Sequence, residues 1–165
     1  MQKIGKALDR FDVALLNLIQ TDNLATAETL AGSVPLSPSA ITRRLRRLRE
    51  QGLVAADVAV LSPALIERRL RAVVGVQLQE HAQDGAIARL RTRLRGLPEV
   101  QLCFEVTGTM DLLAVVVTRD MASFNAFADE VFGSDPAIRR YETSFVKREI
   151  KDSRFVPLDE DDLAP

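Results

Sequence analysis

The chain has 165 residues, 47% hydrophobic and 27% charged, which is enough apolar material for one domain of usual size or two small ones and excludes disorder by composition. Its net charge of −1 excludes a uniformly basic nucleic-acid coat. The charge is unevenly spread, at +2 over residues 1–60, +1 over 61–151 and −4 over 152–165, so any contact with nucleic acid has to come from a local patch.

Residues 1–6 read as a short leader. Leu8 to Asp22 then has Leu8, Phe11, Leu15, Leu18 and Ile19 on one face at 3/4 spacing, with Asp9 and Asp12 near the start, where a helix dipole favours them. Asp22-Asn23 is turn chemistry, and Thr26 is an N-cap for a short second helix to about Ser33. Val34-Pro35-Leu36 cannot continue that helix.

A third helix runs from Pro38 to Gln51, with Ser37 as N-cap, proline at the first position and Gly52 just past the end. Ile41, Leu45 and Leu48 form its apolar stripe. Ser39, Arg43, Arg46 and Arg47 fall opposite, and Thr42, Arg44 and Arg49 flank it. Three helices in this span, the last two joined by a tight turn, match the helix-turn-helix layout, whose final helix enters a major groove. Leu53 to Leu61 is apolar and β-branched and reads as a short two-stranded wing, paired with residues near the N-terminus or with itself, and Leu61 to Arg71 as a connector broken by Ser62-Pro63.

From Arg71 the hydrophobic period changes. Residues 71–79 form a strand with Ala72, Val74, Val76 and Leu78 on one face, and Asp84 to Arg95 a helix with Ile87, Leu90 and Leu94 inward. Glu99 to Val106 alternates, with Val100, Leu102, Phe104 and Val106 set against Gln101, Cys103 and Glu105. After a turn at Thr107-Gly108-Thr109-Met110, Asp111 to Thr118 reads as a central strand. Asp120 caps a helix to about Phe132, and Ile138 to Lys147 is a last strand. The order β-α-β-β-α-β is that of a ferredoxin-like sandwich. The acidic segment 157–165 reads as a disordered tail.

This combination resembles the Lrp/AsnC family of transcription regulators over roughly Leu8 to Phe155. The resemblance rests on Leu8-Asp9-Arg10-Phe11-Asp12, on Leu36-Ser37-Pro38-Ser39 with the arginine-rich helix and Arg49-Glu50-Gln51-Gly52-Leu53-Val54, on Ser62-Pro63, and on Gly108-Thr109-Met110-Asp111, in that order and spacing. Two positions depart from it. Ala56 and Asp57 stand where the family often has glycine and an aromatic residue, and Thr109 where many members carry an acid.

The resemblance implies an α+β chain, with a winged helix-turn-helix domain over 1–60, a linker over 61–70, a ligand-sensing and oligomerisation (RAM) domain over 71–156 and the tail from 157. It further implies a sequence-specific DNA-binding regulator responding to a small effector, an amino acid, bound near an interface between subunits. Dimers that assemble further, as in octamers, are part of the same expectation.

The DNA-binding candidates are Ser37, Ser39, Thr42, Arg43, Arg44, Arg46, Arg47 and Arg49. Ser39, Thr42, Arg43 and Arg46 are placed to face base edges, where a guanidinium can bind guanine through two hydrogen bonds, and Arg44, Arg47 and Arg49 to grip phosphates. The competing structural reading pairs some of these arginines with Glu50 or Asp57. At Gly108, Thr109, Met110 and Asp111, a glycine turn can offer backbone N–H groups to a carboxylate while Asp111 meets an α-ammonium. The plainer alternative is a hairpin turn capped by Asp111. Met121, Ser144, Phe145 and Val146 join the effector set only by their likeness to effector-responsive positions of the family.

One cysteine, Cys103, permits no internal disulfide or thiolate-rich zinc site and reads as a buried or interface thiol. His81 is the sole histidine, read as a surface or interface residue. No cofactor, metal or catalytic group is expected, and no apolar run is long enough to span a membrane, so the expected compartment is the cytoplasm. The mixed second face of the sheet, with Val73, Cys103, Leu112 and Tyr141, predicts a sheet-to-sheet dimer. The rival from another class is a tetrapyrrole (haem-pathway) decarboxylase on the same scaffold, which has no use for an arginine face shaped for a groove.

Overall fold

A computed structural model describes residues 8–80 and 84–162; the leader and His81 lie outside them. The chain forms two compact units. One comprises residues 1–60 and 151–165, the other 61–150.

The first unit holds α1 (Arg10–Thr21), α2 (Ala27–Ala31) and α3 (Pro38–Glu50). Each starts on a side chain that caps free N–H groups: Asp9 in a reciprocal capping box with Asp12, Thr26 on Thr29, and Ser37 on Ala40. Leu15, Leu16, Ile19, Leu30, Val34, Ile41 and Leu48 close over one core, with Leu45 partly buried against it. Gly52 takes a positive φ of 71°, and the next N–H, of Leu53, donates back to Leu48 at 3.0 Å. That conformation ends α3 and favours glycine.

The structure departs from two expectations for this unit. The segment after Gly52 forms no strand among the described residues and does not pair with itself, and the N-terminal residues expected as its other partner lie outside the described residues. Val58 and Val60 lie exposed. The acidic segment is also not a free tail over its described residues. It returns to α1, where Leu158 packs against the core and bonds Asn17. Composition alone could not show that one leucine finds an apolar seat.

The second unit follows a short helix α4 (Pro63–Ile66) with β1 (Leu70–Leu78), α5 (Asp84–Gly96), β2 (Val100–Glu105), β3 (Leu112–Thr118), α6 (Met121–Ala128) and β4 (Ile138–Phe145). A π-helical turn, Asp129–Gly133, extends α6. The sheet is antiparallel in the order β2-β3-β1-β4. Ala72, Val74, Val76, Leu112, Ala114 and Val116 pack under Leu90 and Leu94 of α5 and Phe124, Phe127 and Phe132 at α6.

The register of β2 corrects the sequence reading. Val100 pairs with Val116, but Leu102 pairs with Val115 and Phe104 with Leu113, because the register slips between Val100 and Leu102. One extra residue flips the alternation. Leu102 and Phe104 therefore share the helix-free face with Leu113, Val115, Val117 and Val73, while Cys103 is paired with buried Ala114. Phe104 is 55% exposed. Leu112 (paired with Val76) and Tyr141, expected on the open face, lie on the helix side, where Tyr141 packs on Phe132. The open face is thus more apolar than expected over β1–β3, with a polar margin of Arg140, Glu142 and Ser144 on β4.

Leu94→Ala should lower stability by about 3 kcal/mol, whereas Phe104→Ala should cost less than about 1 kcal/mol in the monomer. Urea unfolding at low protein concentration measures both. Equal losses would refute the bulge-directed facing of β2.

Candidate functional site

The arginine-rich helix is anchored from beneath by two carboxylates. Asp12 is only 1% exposed. Its Oδ1 accepts from Arg44 Nη1 at 2.8 Å and its Oδ2 from Arg47 Nη2 at 2.5 Å, and Oδ2 also accepts the Asp9 backbone N–H at 3.2 Å. Asp9 accepts from the same Arg44 Nη1 at 2.7 Å while capping α1 through the N–H groups of Phe11 and Asp12. The carboxylates that begin α1 therefore also hold α3 across the core. A buried carboxylate is tolerable only with such partners.

This network divides the arginines. Arg44 and Arg47 are committed to it, although both keep an exposed edge. Arg49 is committed elsewhere: its Nε donates to Asp57 at 3.0 Å and its Nη2 to Asn23 Oδ1 at 2.9 Å. Arg49 is thus paired with Asp57, one of the two positions that depart from the family pattern. Arg46 meets Glu50 only loosely, at 3.9 Å with both side chains open to solvent. Arg43 is exposed and has no ion-pair partner among the described residues.

A shallow concavity of about 240 Å³ is lined by Arg43, Arg44 and Arg47. Arg47 Nε lies buried nearby without a hydrogen-bond partner among the described residues. Such a site suits an anionic oxygen, because one guanidinium is uncompensated and the others are held in place. The hydroxyls at the start of α3 bond locally. Ser37 Oγ meets Ser39 Oγ at 3.2 Å and Thr42 Oγ1 donates to Pro38 O at 3.0 Å, leaving Ser39 and Thr42 exposed beside Arg43.

The effector candidates fall into two groups. Gly108 adopts φ 125°, a conformation that favours glycine, and the turn lies over the far end of β1. Asp111 N–H donates to Val76 O at 2.9 Å, Asp111 Oδ2 accepts from Leu78 N–H at 2.8 Å, and Gln77 Nε2 donates to Thr109 O at 2.5 Å. One Asp111 oxygen is thus already capping β1. Met110 lies against Gly75, where a Cβ would come within 3.1 Å of its side chain, so glycine makes room for this packing.

Met121, Ser144, Phe145 and Val146 sit at the other end. Ser144 pairs with Val73, Phe145 with Ala72, and Val146 N–H donates to Arg71 O. Phe145 packs edge-on against Phe124 at 5.1 Å. Along β1, Ser144 at Val73 lies two residues from Met110 at Gly75, and Val146 at Arg71 lies five from Asp111 at Val76, roughly 7 to 17 Å at the usual strand rise.

Cys103 is exposed at its strand edge, yet its thiol pKa is raised by partial burial and by the Glu105 carboxylate, so it is a poor nucleophile. The clamp that Asp9 and Asp12 form on Arg44 and Arg47 is not among the sequence expectations, in which these acids favour the start of a helix and carry part of the family resemblance. Their i, i+3 spacing below an arginine-rich helix was the available signal.

Residues 8–49 match the AsnC-type helix-turn-helix domain and residues 71–156 the Lrp/AsnC ligand binding domain. The chain is 36% identical over 159 residues to an uncharacterized HTH-type transcriptional regulator of Sinorhizobium fredii, covering 96% of this chain and 94% of that one. It is 32% identical over 149 residues to the leucine-responsive regulatory protein of Escherichia coli K12, covering 90% of each. Among solved structures, a Neisseria meningitidis transcriptional regulator in complex with L-Met superposes with TM-score 0.83 at 34% identity, covering 92% of this chain and 97% of that one. An AsnC family regulator of Agrobacterium tumefaciens gives 0.81 at 27% identity, with 91% and 97% covered.

Asp12→Ala should cost about 3 kcal/mol in urea unfolding because it strands two guanidinium groups, whereas Asp57→Ala on the exposed Arg49 pair should cost less than about 1 kcal/mol. Asp9 adds a pH signature. Burial alone would raise its pKa, but the Arg44 guanidinium and the N–H groups of Asp12 and Phe11 outweigh it and hold the carboxyl below its usual 3.8. Its contribution is complete above that value and is lost as the pH falls through the lower folded value. Asp9→Asn should therefore make the acid limb of the stability curve shallower.

Proposed function

The chain belongs to the Lrp/AsnC family of transcriptional regulators, and we propose that it reads double-stranded DNA through the Arg43–Arg46 side of α3 under control of an amino acid bound by the second unit. The observation that carries this is the division of labour among the arginines. Arg43 and Arg46 keep solvated, uncommitted guanidinium groups beside Ser39 and Thr42, on a helix whose other side is anchored in a core. Base reading needs such groups on a rigid support. Arg44 and Arg47 offer their remaining N–H groups to one phosphate at the concavity they share with Arg43. Arg49 stiffens the end of α3, and Ser37 starts it.

For the effector, the relative solved with L-Met supports an amino acid as the chemical class. The Gly108–Asp111 turn supplies open backbone and the second Asp111 oxygen. Asp111 and Val146 stand too far apart along β1 for one amino acid to touch both within a chain, so a site that joins these two takes one from each of two subunits, which makes effector binding sensitive to assembly. The apolar open face, with Leu102, Phe104, Leu113, Val115 and Val73, fits a second copy of itself in a homodimer; a two-fold dimer presents two copies of α3 to a palindrome. Assembly beyond the dimer, as in an octamer, belongs to the same proposal, as does action in the cytoplasm. The named relatives are regulators rather than enzymes, and the uncommitted arginine face favours DNA over a tetrapyrrole substrate.

Arg43→Ala should weaken binding to a native promoter fragment by about tenfold, within the 1–3 kcal/mol of a good base contact, and reduce preference over mixed-sequence duplex. Arg49→Ala should change affinity by less than about threefold, since its charge is already paired. Fluorescence anisotropy measures both, and equal effects would refute the assignment. Asp111→Ala should abolish the rise in melting temperature that an amino acid produces in the wild type; an unchanged increment would place the effector elsewhere.

A further inference from the structure

The face of α1 that carries Asn17 and Gln20 engages an extended peptide through both side-chain amides. Asn17 Nδ2 donates to Leu158 O at 2.9 Å and Asn17 Oδ1 accepts the Leu158 N–H at 3.0 Å. Gln20 Nε2 donates to Val156 O at 3.0 Å and Gln20 Oε1 accepts the Val156 N–H at 2.9 Å. The two amides are three residues apart and so share one side of the helix. The residues they hold are two apart, so in an extended chain their peptide groups face the same way. Pro157 between them has no N–H to satisfy, and Leu158 is the half-buried anchor on the core. Four reciprocal bonds and one anchor specify this segment in register.

The polarity follows from the pairs. Val156 lies at Gln20 and Leu158 at Asn17, so the segment runs antiparallel to α1 and carries its acidic end toward the start of that helix, where Asp9 and Asp12 hold Arg44 and Arg47. Asp159 and Asp162 fold that end into a short turn, with the Asp159 N–H donating to Asp162 Oδ2 at 2.9 Å and the Asp161 N–H to Asp159 Oδ1 at 2.9 Å. The charges matter because residues 1–60 carry eight Lys/Arg against six Asp/Glu, while residues 151–165 carry two against five. Docking changes the net charge of the DNA-reading unit from +2 to −1.

We propose that the Asn17/Gln20 face is a peptide-docking surface, that its occupant is the C-terminal segment Val156-Pro157-Leu158 of this chain, and that the docked acidic end lowers the unit's affinity for DNA phosphate. Undocking removes negative charge without touching α3 and leaves base contacts intact. This inference rests on the proposed DNA-reading role of α3. Because the field acts at a distance, its effect is greatest at low ionic strength and fades within a Debye length of about 8 Å in physiological salt.

The test uses the full chain, Asn17→Ala/Gln20→Ala, and Asp159→Asn/Asp161→Asn/Asp162→Asn. Limited trypsin digestion with mass spectrometry follows cleavage after Arg154. Cleavage is expected to be markedly faster in the amide variant; equal rates would overturn docking. Anisotropy with a mixed-sequence duplex follows affinity. Both variants should bind about fivefold tighter than wild type at low salt, the gain shrinking as salt rises. Faster cleavage with unchanged affinity would overturn the charge effect while leaving docking in place. Failure of all three proteins to bind duplex would instead sink the DNA-reading proposal, with the trypsin result still judging the docking surface.

Discussion

The buried carboxylate of Asp12 is the constraint on which the DNA-reading unit depends. A carboxylate out of water is costly unless its lone pairs are filled, and here two guanidinium groups and a backbone N–H fill them. Those guanidinium groups come from α3, so satisfying Asp12 also fixes the rotation and depth of the helix whose outer side faces solvent. Two arginines serve as internal fasteners, a third is tied to Asp57 and Asn23, and the remaining pair is left for a partner. A cluster of five like charges thus becomes a small number of groups with separate roles. The local repulsion among them is offset by acids placed below the helix rather than along it.

A comparable economy operates in the second unit. One β-bulge in β2 moves Leu102 and Phe104 from the helix side to the open side of the sheet. The helix-covered core is complete without them, since α5 and α6 already close over β1 and β3. The residues displaced by the bulge instead enlarge an apolar surface that water solvates poorly and a second copy could cover. Glu105, brought to the opposite side, meets Arg91 of α5. The same slip that exposes apolar side chains therefore seats an ion pair over the other face.

The effector candidates are strung along one strand. A strand is stiff along its length, and β1 holds the Gly108 turn at one end and the close of β4 at the other. In the proposed site, where Asp111 and Val146 come from two subunits, ligand binding and subunit arrangement become linked equilibria, each shifting the other.

The sequence by itself determined the elements that rest on local chemistry. The caps at Thr26, Ser37 and Asp120, the stop at Gly52 and the β-α-β-β-α-β order all depend on residues within a few positions of one another, and all are present. The two-faced character of α3 was equally legible, because 3.6-residue periodicity is a local property. What only the tertiary structure decided involves partners distant in the chain. The pairing of Arg44 and Arg47 with Asp12 spans more than thirty positions, and that of Leu158 with Asn17 spans 141. The bulge in β2 is set by its fit to β3. Sequence pattern records which side chains can be buried or charged together; which of them meet is decided by packing, where a single register slip or one apolar seat changes the outcome.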